Sequence, residues 1–245
     1  MSILDAIILV FGGAAAGFIN TLAGGGSAVT IPILNEMVGI STANGTNRIA
    51  ILAAQFAAIA GFQRGKAVPW KRVLPLLPPA IVGAGLGAWA ATKTSPDVLR
   101  QVFAVVLLFV ALSVVTKPSR WVEERDAALH EPWRSLVFLA IGFYGGFVQA
   151  GVGFMLLAGL VLGGGLTLVN GNAAKVVLIA AYTPVALLLF ASAAQVDWSV
   201  GAVMAIGQMT GAWIAAKLAI AKGASWIRWV LVAAAVVAAI RLFTT

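Results

Sequence analysis

Residues 18–48 read FINTLAGGGSAVTIPILNEMVGISTANGTNR, and this stretch decides how the rest of the chain is read. Three consecutive glycines, Gly24, Gly25 and Gly26, precede Ser27 and an apolar run that ends near Val38. A polar cluster of Asn44, Thr46, Asn47 and Arg48 follows. At about 1.5 Å of rise per helical residue, the run from Ser27 to Val38 reaches roughly 18 Å, well short of a hydrocarbon core about 30 Å thick. Glycine triplets leave peptide groups bare, and at membrane depth such groups survive only when buried in protein or facing a wet cavity. The stretch therefore reads as a broken, re-entrant element.

Composition sets the surroundings of that element. Hydrophobic residues make up 61% of the 245 and charged residues only 10%, and the mean hydropathy is +1.01. Such a chain belongs among polytopic membrane proteins. Its net charge of +8 would suggest a nucleic-acid partner in a soluble protein. Here the basic residues sit between apolar runs and read as topology signals, with the lipid bilayer as the partner and no nucleic acid. Cysteine is absent, which removes disulfides, thiolate catalysis and thiol metal sites. The N-terminal MSILDAIILVFGGAAAGF has no basic n-region and carries Asp5, unlike a cleaved signal peptide.

Apolar runs fall at about 3–23, 27–38, 49–62, 73–92, 98–116, 135–150, 154–162, 176–194, 200–216 and 226–243. The second and seventh are too short to span, and the third is marginal. The polar link 117–134 divides the chain almost in half, predicting an N-terminal membrane repeat 1–116 and a C-terminal one 135–245. The halves resemble each other: Val68, Trp70, Gly83 and Arg100 recur 128 positions later as Val196, Trp198, Gly211 and Arg228. Gly24 and Gly26 match Gly151 and Gly153 at an offset of 127, and Asn44 matches Asn170 at 126. Lys and Arg are concentrated in 63–72, 117–134 and 217–228, while 194–199, the counterpart of 63–72, carries none. The positive-inside rule then puts corresponding loops on opposite sides and both termini outside. The predicted fold is all-α, with two inverted repeats, each of about three full transmembrane helices plus a re-entrant or broken-helix element.

Transporters built from inverted repeats place their site near the midplane, where short glycine-interrupted segments of the two halves meet. The candidates here are 20–48 and 147–175. Helix starts after the glycine breaks would turn N–H groups and partial positive charge toward an anion. Arg48 and Lys175 lie beside these breaks, each next to amides. Cations at membrane depth are costly and usually face a polar interior, although residues at helix ends also snorkel to the headgroups. The candidate binding set is Asn20, Gly24, Gly25, Gly26, Ser27, Asn44, Thr46, Asn47, Arg48, Gln149, Gly151, Gly153, Asn170, Asn172 and Lys175. For any one amide, capping a helix start is an equal alternative to holding a ligand.

The remaining polar residues exclude more than they suggest. Gly24 to Ser27 lack the GxxxxGK[ST] of a nucleotide loop, and Gly151-x-Gly153 lacks the third glycine of a dinucleotide fingerprint, so no cofactor is expected. The eight Asp and Glu residues lie at the ends of apolar runs or between them, and the single histidine, His130, is in the central link. No proton relay, metal site or catalytic group is evident, which argues against a membrane enzyme. Gly13/Gly17, Gly142/Gly146, Gly207/Gly211 and the Gly83–Gly87 face read as close helix contacts.

The glycine-rich stretch with Pro32 in the half-helix, the NGTNR cluster, and the step Gly61, Phe62, Arg64, Gly65, Val68, Trp70 resemble the sulfite exporter TauE/SafE family, also called the toluene sulfonate uptake permease family. The resemblance covers roughly residues 7–243, and the second half departs from it in having no proline at the position matching Pro32. It implies transport, by export, of a sulfur-containing oxyanion such as sulfite, sulfoacetate or another organosulfonate across a bacterial inner membrane. Import, or carriage of thiosulfate, sulfate or a carboxylate, is the alternative within transport. A non-transporting membrane assembly factor is the alternative outside it. The sequence leaves coupling open, and a homodimer with it.

Overall fold

The computed structural model describes residues 1–99, 101, 102, 105 and 129–244, with side chains as far as 223 and at 226. The expected span 98–116 and linker 117–134 fall largely outside the described residues, as do Arg100 and the side chain of Arg228. All regular structure among the described residues is helical. The helices are α1 (Ile3–Leu22), α2 (Ser27–Val38), α3 (Ile40–Arg64), α4 (Trp70–Val73), α5 (Leu77–Lys93), α6 (Trp133–Phe147), α7 (Val152–Ala158), α8 (Leu168–Ser192) and α9 (Trp198–Thr244). A 3-10 turn, Leu74–Leu76, joins α4 to α5, and a π turn, Gly159–Gly163, extends α7. Gly223 leaves helical geometry at φ 73° and breaks α9.

Four described segments are long and apolar enough to cross a membrane: Ile3–Leu22, Trp70–Lys93, Leu168–Ser192 and Trp198–Gly223. The first opens with a capping box, in which the Ser2 hydroxyl accepts from Asp5 N–H and the Asp5 carboxylate accepts from Ser2 N–H. Large apolar side chains such as Phe11, Phe56, Leu86, Trp89, Leu188 and Ile206 are exposed on the outer surface. In water so many large exposed apolar side chains would be costly; against lipid they are solvated.

The half-helix Ser27–Val38 has the extent that its sequence predicts. The element after it differs. The apolar run 49–62 is the second part of a 25-residue helix, α3, which begins at Ile40 and takes the whole Asn44–Arg48 cluster into its first turns. A helix can carry that cluster inside the protein because its side chains find partners on neighbouring elements, as described below.

The interhelical glycines bring backbones together in two reciprocal contacts. A methyl group on Gly13 or Gly17 would meet the α9 backbone at Met204 or Gln208, and one on Gly207 or Gly211 would meet the α1 backbone at Val10 or Ala14. On the other side, Gly83 and Gly87 of α5 face the α6 backbone at Leu139 and Phe143, while Gly142 and Gly146 of α6 face α5 at Ala80 and Ala84. Lipid supplies no hydrophobic drive for helix association, so such close approach is a main source of cohesion. Gly17→Ala is expected to push α1 off α9 and cost about 1–3 kcal/mol. Gly85→Ala, whose added carbon would meet only Val185 Cγ1 at 3.4 Å, is expected to be tolerated. Thermal unfolding in detergent compares the two.

The α8–α9 loop is tied to α3 and caps α9. Asp197 N–H donates to Thr46 Oγ1 at 2.8 Å. The Asp197 carboxylate accepts from Ser199 N–H at 3.0 Å, Ser199 Oγ at 2.7 Å and Val200 N–H at 3.0 Å. These bonds, the one from the Val200 backbone foremost, hold its carboxyl below the usual carboxylate range. A lowered folded-state value means that the cap adds stability above the unfolded-state value and loses it as pH falls through the folded one. Asp197→Ala should cost about 1 kcal/mol at neutral pH. The stabilities of the two proteins should converge as pH is taken below about 4, followed by thermal unfolding across pH.

Candidate functional site

Two breaks in the chain meet at the centre. The first lies between α1 and α2, where Gly24 takes φ 87°, and the second between α6 and α7, where Gln149 and Gly151 take φ 66° and 73°. Gly24 and Gly153 are in direct backbone contact, and a side chain on either would collide with the main chain of the other. Glycine is required at Gly24 twice over, for its left-handed conformation and for the approach.

Each break exposes a helix end with unsatisfied peptide groups. At the helix C-termini that lead into the breaks, those groups are satisfied by cations from distant helices. Arg48 of α3 reaches α6: Nη1 donates to Gly145 O at 2.6 Å and Nη2 to Gly146 O at 2.7 Å. Asn44 Nδ2 takes the next carbonyl, Phe147 O, at 2.8 Å. Arg48 also donates through Nη1 to Gln149 Oε1 at 2.5 Å, through Nη2 to Asn44 Oδ1 at 3.1 Å and through Nε to Asn44 O at 3.3 Å. Lys175 of α8 does the same for α1. Its Nζ donates to Asn20 O and Thr21 O, both at 2.9 Å, and to Asn172 Oδ1 at 2.7 Å. Both cations are fully buried, so neither snorkels to a headgroup.

All five guanidinium N–H groups and all three ammonium N–H groups are therefore engaged. Every acceptor is a neutral oxygen, and no Asp or Glu is buried among the described residues. What the two cations offer the interior is unpaired positive charge rather than free hydrogen bonds. Donors come instead from the other side of each break. The N–H groups of Gly25, Gly26 and Ser27 at the start of α2, and of Gln149, Gly151 and Gly153 around the start of α7, meet no acceptor among the described residues.

Asn47 fastens α2 to α3, donating through Nδ2 to Ser27 Oγ at 3.2 Å and accepting at Oδ1 from Thr30 Oγ1 at 2.8 Å. Gln208 Nε2 of α9 reaches the same Oδ1 at 3.4 Å. The Tyr182 hydroxyl lies 3.5 Å from Gln149 Oε1, and the Phe190 ring lies 5.2 Å from the Arg48 guanidinium carbon. The structure thus gathers Asn20, Gly24, Gly25, Gly26, Ser27, Asn44, Asn47, Arg48, Gln149, Gly151, Gly153, Asn172 and Lys175 around the two breaks. It does not bring in Thr46, which holds the α8–α9 loop, or Asn170, whose backbone N–H bonds the capping Thr167 Oγ1 at 3.2 Å. None of the five candidate asparagines is an N-cap: Ser2, Gly39 and Thr167 hold those positions on α1, α3 and α8. Tyr182 and Gln208 were not anticipated, because an aromatic or a single amide in an apolar run gives no signal without the fold.

A membrane-spanning helical fold organised on two touching helix breaks, with buried cations and unsatisfied N–H groups, is the architecture of a membrane transporter. The chain belongs to the sulfite exporter TauE/SafE family, whose model matches residues 9–242. It is 33% identical over 234 residues to the probable membrane transporter protein ORF9 of Sinorhizobium sp, covering 93% of this chain and 88% of that one. It is 30% identical over 238 residues to the probable membrane transporter protein YfcA of Escherichia coli K12, covering 96% and 88%. A probable membrane transporter protein of Haemophilus influenzae is 29% identical over 229 residues, covering 92% and 89%. No solved structure matches the chain.

Arg48→Lys separates fork from charge. A lysine keeps the positive charge but cannot reach both carbonyls of α6 and Gln149 together, so at least one buried carbonyl is left bare, at about 1–3 kcal/mol. The expected drop in thermal stability should be absent in Arg64→Lys, whose side chain is exposed at the end of α3.

Proposed function

We propose that this protein is a secondary transporter that exports a small sulfur-containing oxyanion, such as sulfite, sulfoacetate or another organosulfonate, across the bacterial inner membrane. The observation that carries the reading is the pair of fully buried cations held only by neutral oxygens. Uncompensated charge at membrane depth is costly, and such residues mark substrate routes. The helix C-termini that Arg48 and Lys175 cap carry roughly half a negative charge each, offsetting only about half of either cation. An anion entering between the breaks supplies the missing counter-charge. The unbonded N–H groups of Gly25, Gly26, Ser27, Gln149, Gly151 and Gly153 would then donate to its oxygens, as helix N-termini do for sulfate and phosphate.

The same reading takes residues 1–116 and 135–245 as two repeats related by inversion, joined by the linker 117–134. In its support, α1 packs on α9 and α5 on α6 through matching glycine faces, and each cation crosses from its own half to a helix of the other. Alternating access would rock one half against the other about the Gly24–Gly153 contact.

Counterflow in proteoliposomes tests the anion. Vesicles loaded with sulfite or sulfoacetate should drive exchange of labelled sulfoacetate at least tenfold above protein-free vesicles, while dicarboxylates should not. Exchange of carboxylates alone would move the substrate to that class. No exchange of any anion, with a second protein co-purifying stoichiometrically, would replace transport with an assembly role.

A further inference from the structure

Gln55 stands apart from every polar residue so far described. It lies just past the middle of the 25-residue α3, seven residues after Arg48, and so on the same face about two turns on. Its side chain is 1% exposed, and Nε2 and Oε1 are both buried without a hydrogen-bond partner. The other amides with an unpaired atom behave differently where a bond is present: Asn172 accepts from Lys175 through Oδ1, and Gln195 donates to Thr92 O through Nε2. Among the described residues, Gln55 alone has a buried side-chain amide unpaired at both ends.

Its neighbours on the buried side of α3, Ile51, Ala54 and Ala58, belong to an apolar cluster with Leu22, Ala23, Leu178, Ile179 and Tyr182. A leucine or methionine of similar volume would suit that cluster better. Leaving a buried amide unsatisfied costs free energy at each end, and in a lipid-embedded protein there is no bulk water to relieve it. A group that opposes the arrangement seen here is explained when another arrangement satisfies it. An alternating-access cycle supplies such an arrangement when a passage opens beside this face of α3, away from the contact of Gly24 with Gly153.

We propose that Gln55 lines the route of the transported anion and that its Nε2 amide donates to an oxygen of that anion as it passes between the breaks and one face of the membrane. The inference rests on the transport reading and adds to it a residue outside the Arg48–Lys175 cluster. An uncharged donor suits a passage position, because it orients an oxyanion without holding it as a full counter-charge would.

The chain has no cysteine, so Gln55→Cys places a single thiol at this position. The control is Ala50→Cys, equally buried but on the face of α3 that meets Leu9, Leu34 and Met204. Membranes containing each variant are treated with the anionic thiol reagent 2-sulfonatoethyl methanethiosulfonate. Gln55→Cys should label at least tenfold faster than Ala50→Cys, and sulfoacetate should slow that labelling severalfold. In parallel, Gln55→Leu should unfold at the same temperature as the wild type or higher, yet take up sulfoacetate at least tenfold more slowly. Labelling of Gln55→Cys as slow as the control, or wild-type uptake by Gln55→Leu, overturns the proposal. Fast labelling that no sulfonate or carboxylate slows overturns the contact with the anion. Fast labelling in a protein that moves no anion sinks the transport reading by itself, so the two failures are told apart.

Discussion

The structure depends on a cross-connection between charge and helix ends. Interrupting a helix inside a membrane leaves carbonyls with no partner and no water to replace one. Here the interruption at the end of α6 is closed by Arg48 and Asn44 from α3, and the interruption at the end of α1 by Lys175 from α8. A cation is the right group for this purpose, since it both donates hydrogen bonds and opposes the negative end of the helix dipole. The arrangement also settles what these residues do not do. With every N–H engaged, Arg48 and Lys175 have no hydrogen bond left to give, and the unbonded N–H groups near them belong to the backbone of the glycine breaks.

Close helix contact makes the cross-connection geometrically available. Lys175 can reach Asn20 and Thr21 only if the end of α1 comes up against α8, and the break at Gly24 lies directly on Gly153. The glycine faces of α1 with α9 and α5 with α6 draw these elements inward, at spacings that any side chain would prevent. Asn47, bonded to Ser27, Thr30 and Gln208, then fixes the half-helix α2 against α3 and α9.

How much of this was legible in the sequence depends on whether the signal is local. The half-helix Ser27–Val38 could be read because its limits are written in neighbouring residues, a glycine triplet before it and Gly39 after it. The glycine pairs could be read because their spacing is itself the helix face. The polar cluster Asn44–Arg48 was harder. By hydropathy it looks like the lead-in to a short apolar run, whereas it lies inside α3, where long-range partners such as Phe147, Gly145 and Thr30 make its burial tolerable. The capping of one half's helix by the other half's cation joins residues about a hundred or more positions apart, and no local pattern encodes that. Gln55 was invisible for the opposite reason: a lone amide in an apolar run becomes informative only when the structure shows that nothing pairs with it.

The same crossing of bonds constrains how such a molecule can move. Arg48 and Asn44 lie in the first half and hold a helix of the second; Lys175 lies in the second and holds a helix of the first. A motion that slid the halves apart at the centre would strip both cations of their acceptors at once, exposing buried charges and bare carbonyls together. A rotation about the contact of Gly24 with Gly153 leaves those bonds nearest the axis almost undisturbed, and the larger displacements fall farther out along α3 and α8. Polar groups that need a second arrangement should therefore be found away from the axis rather than on it. Gln55 is such a group, about two helical turns beyond Arg48 and unpaired where the cations are saturated.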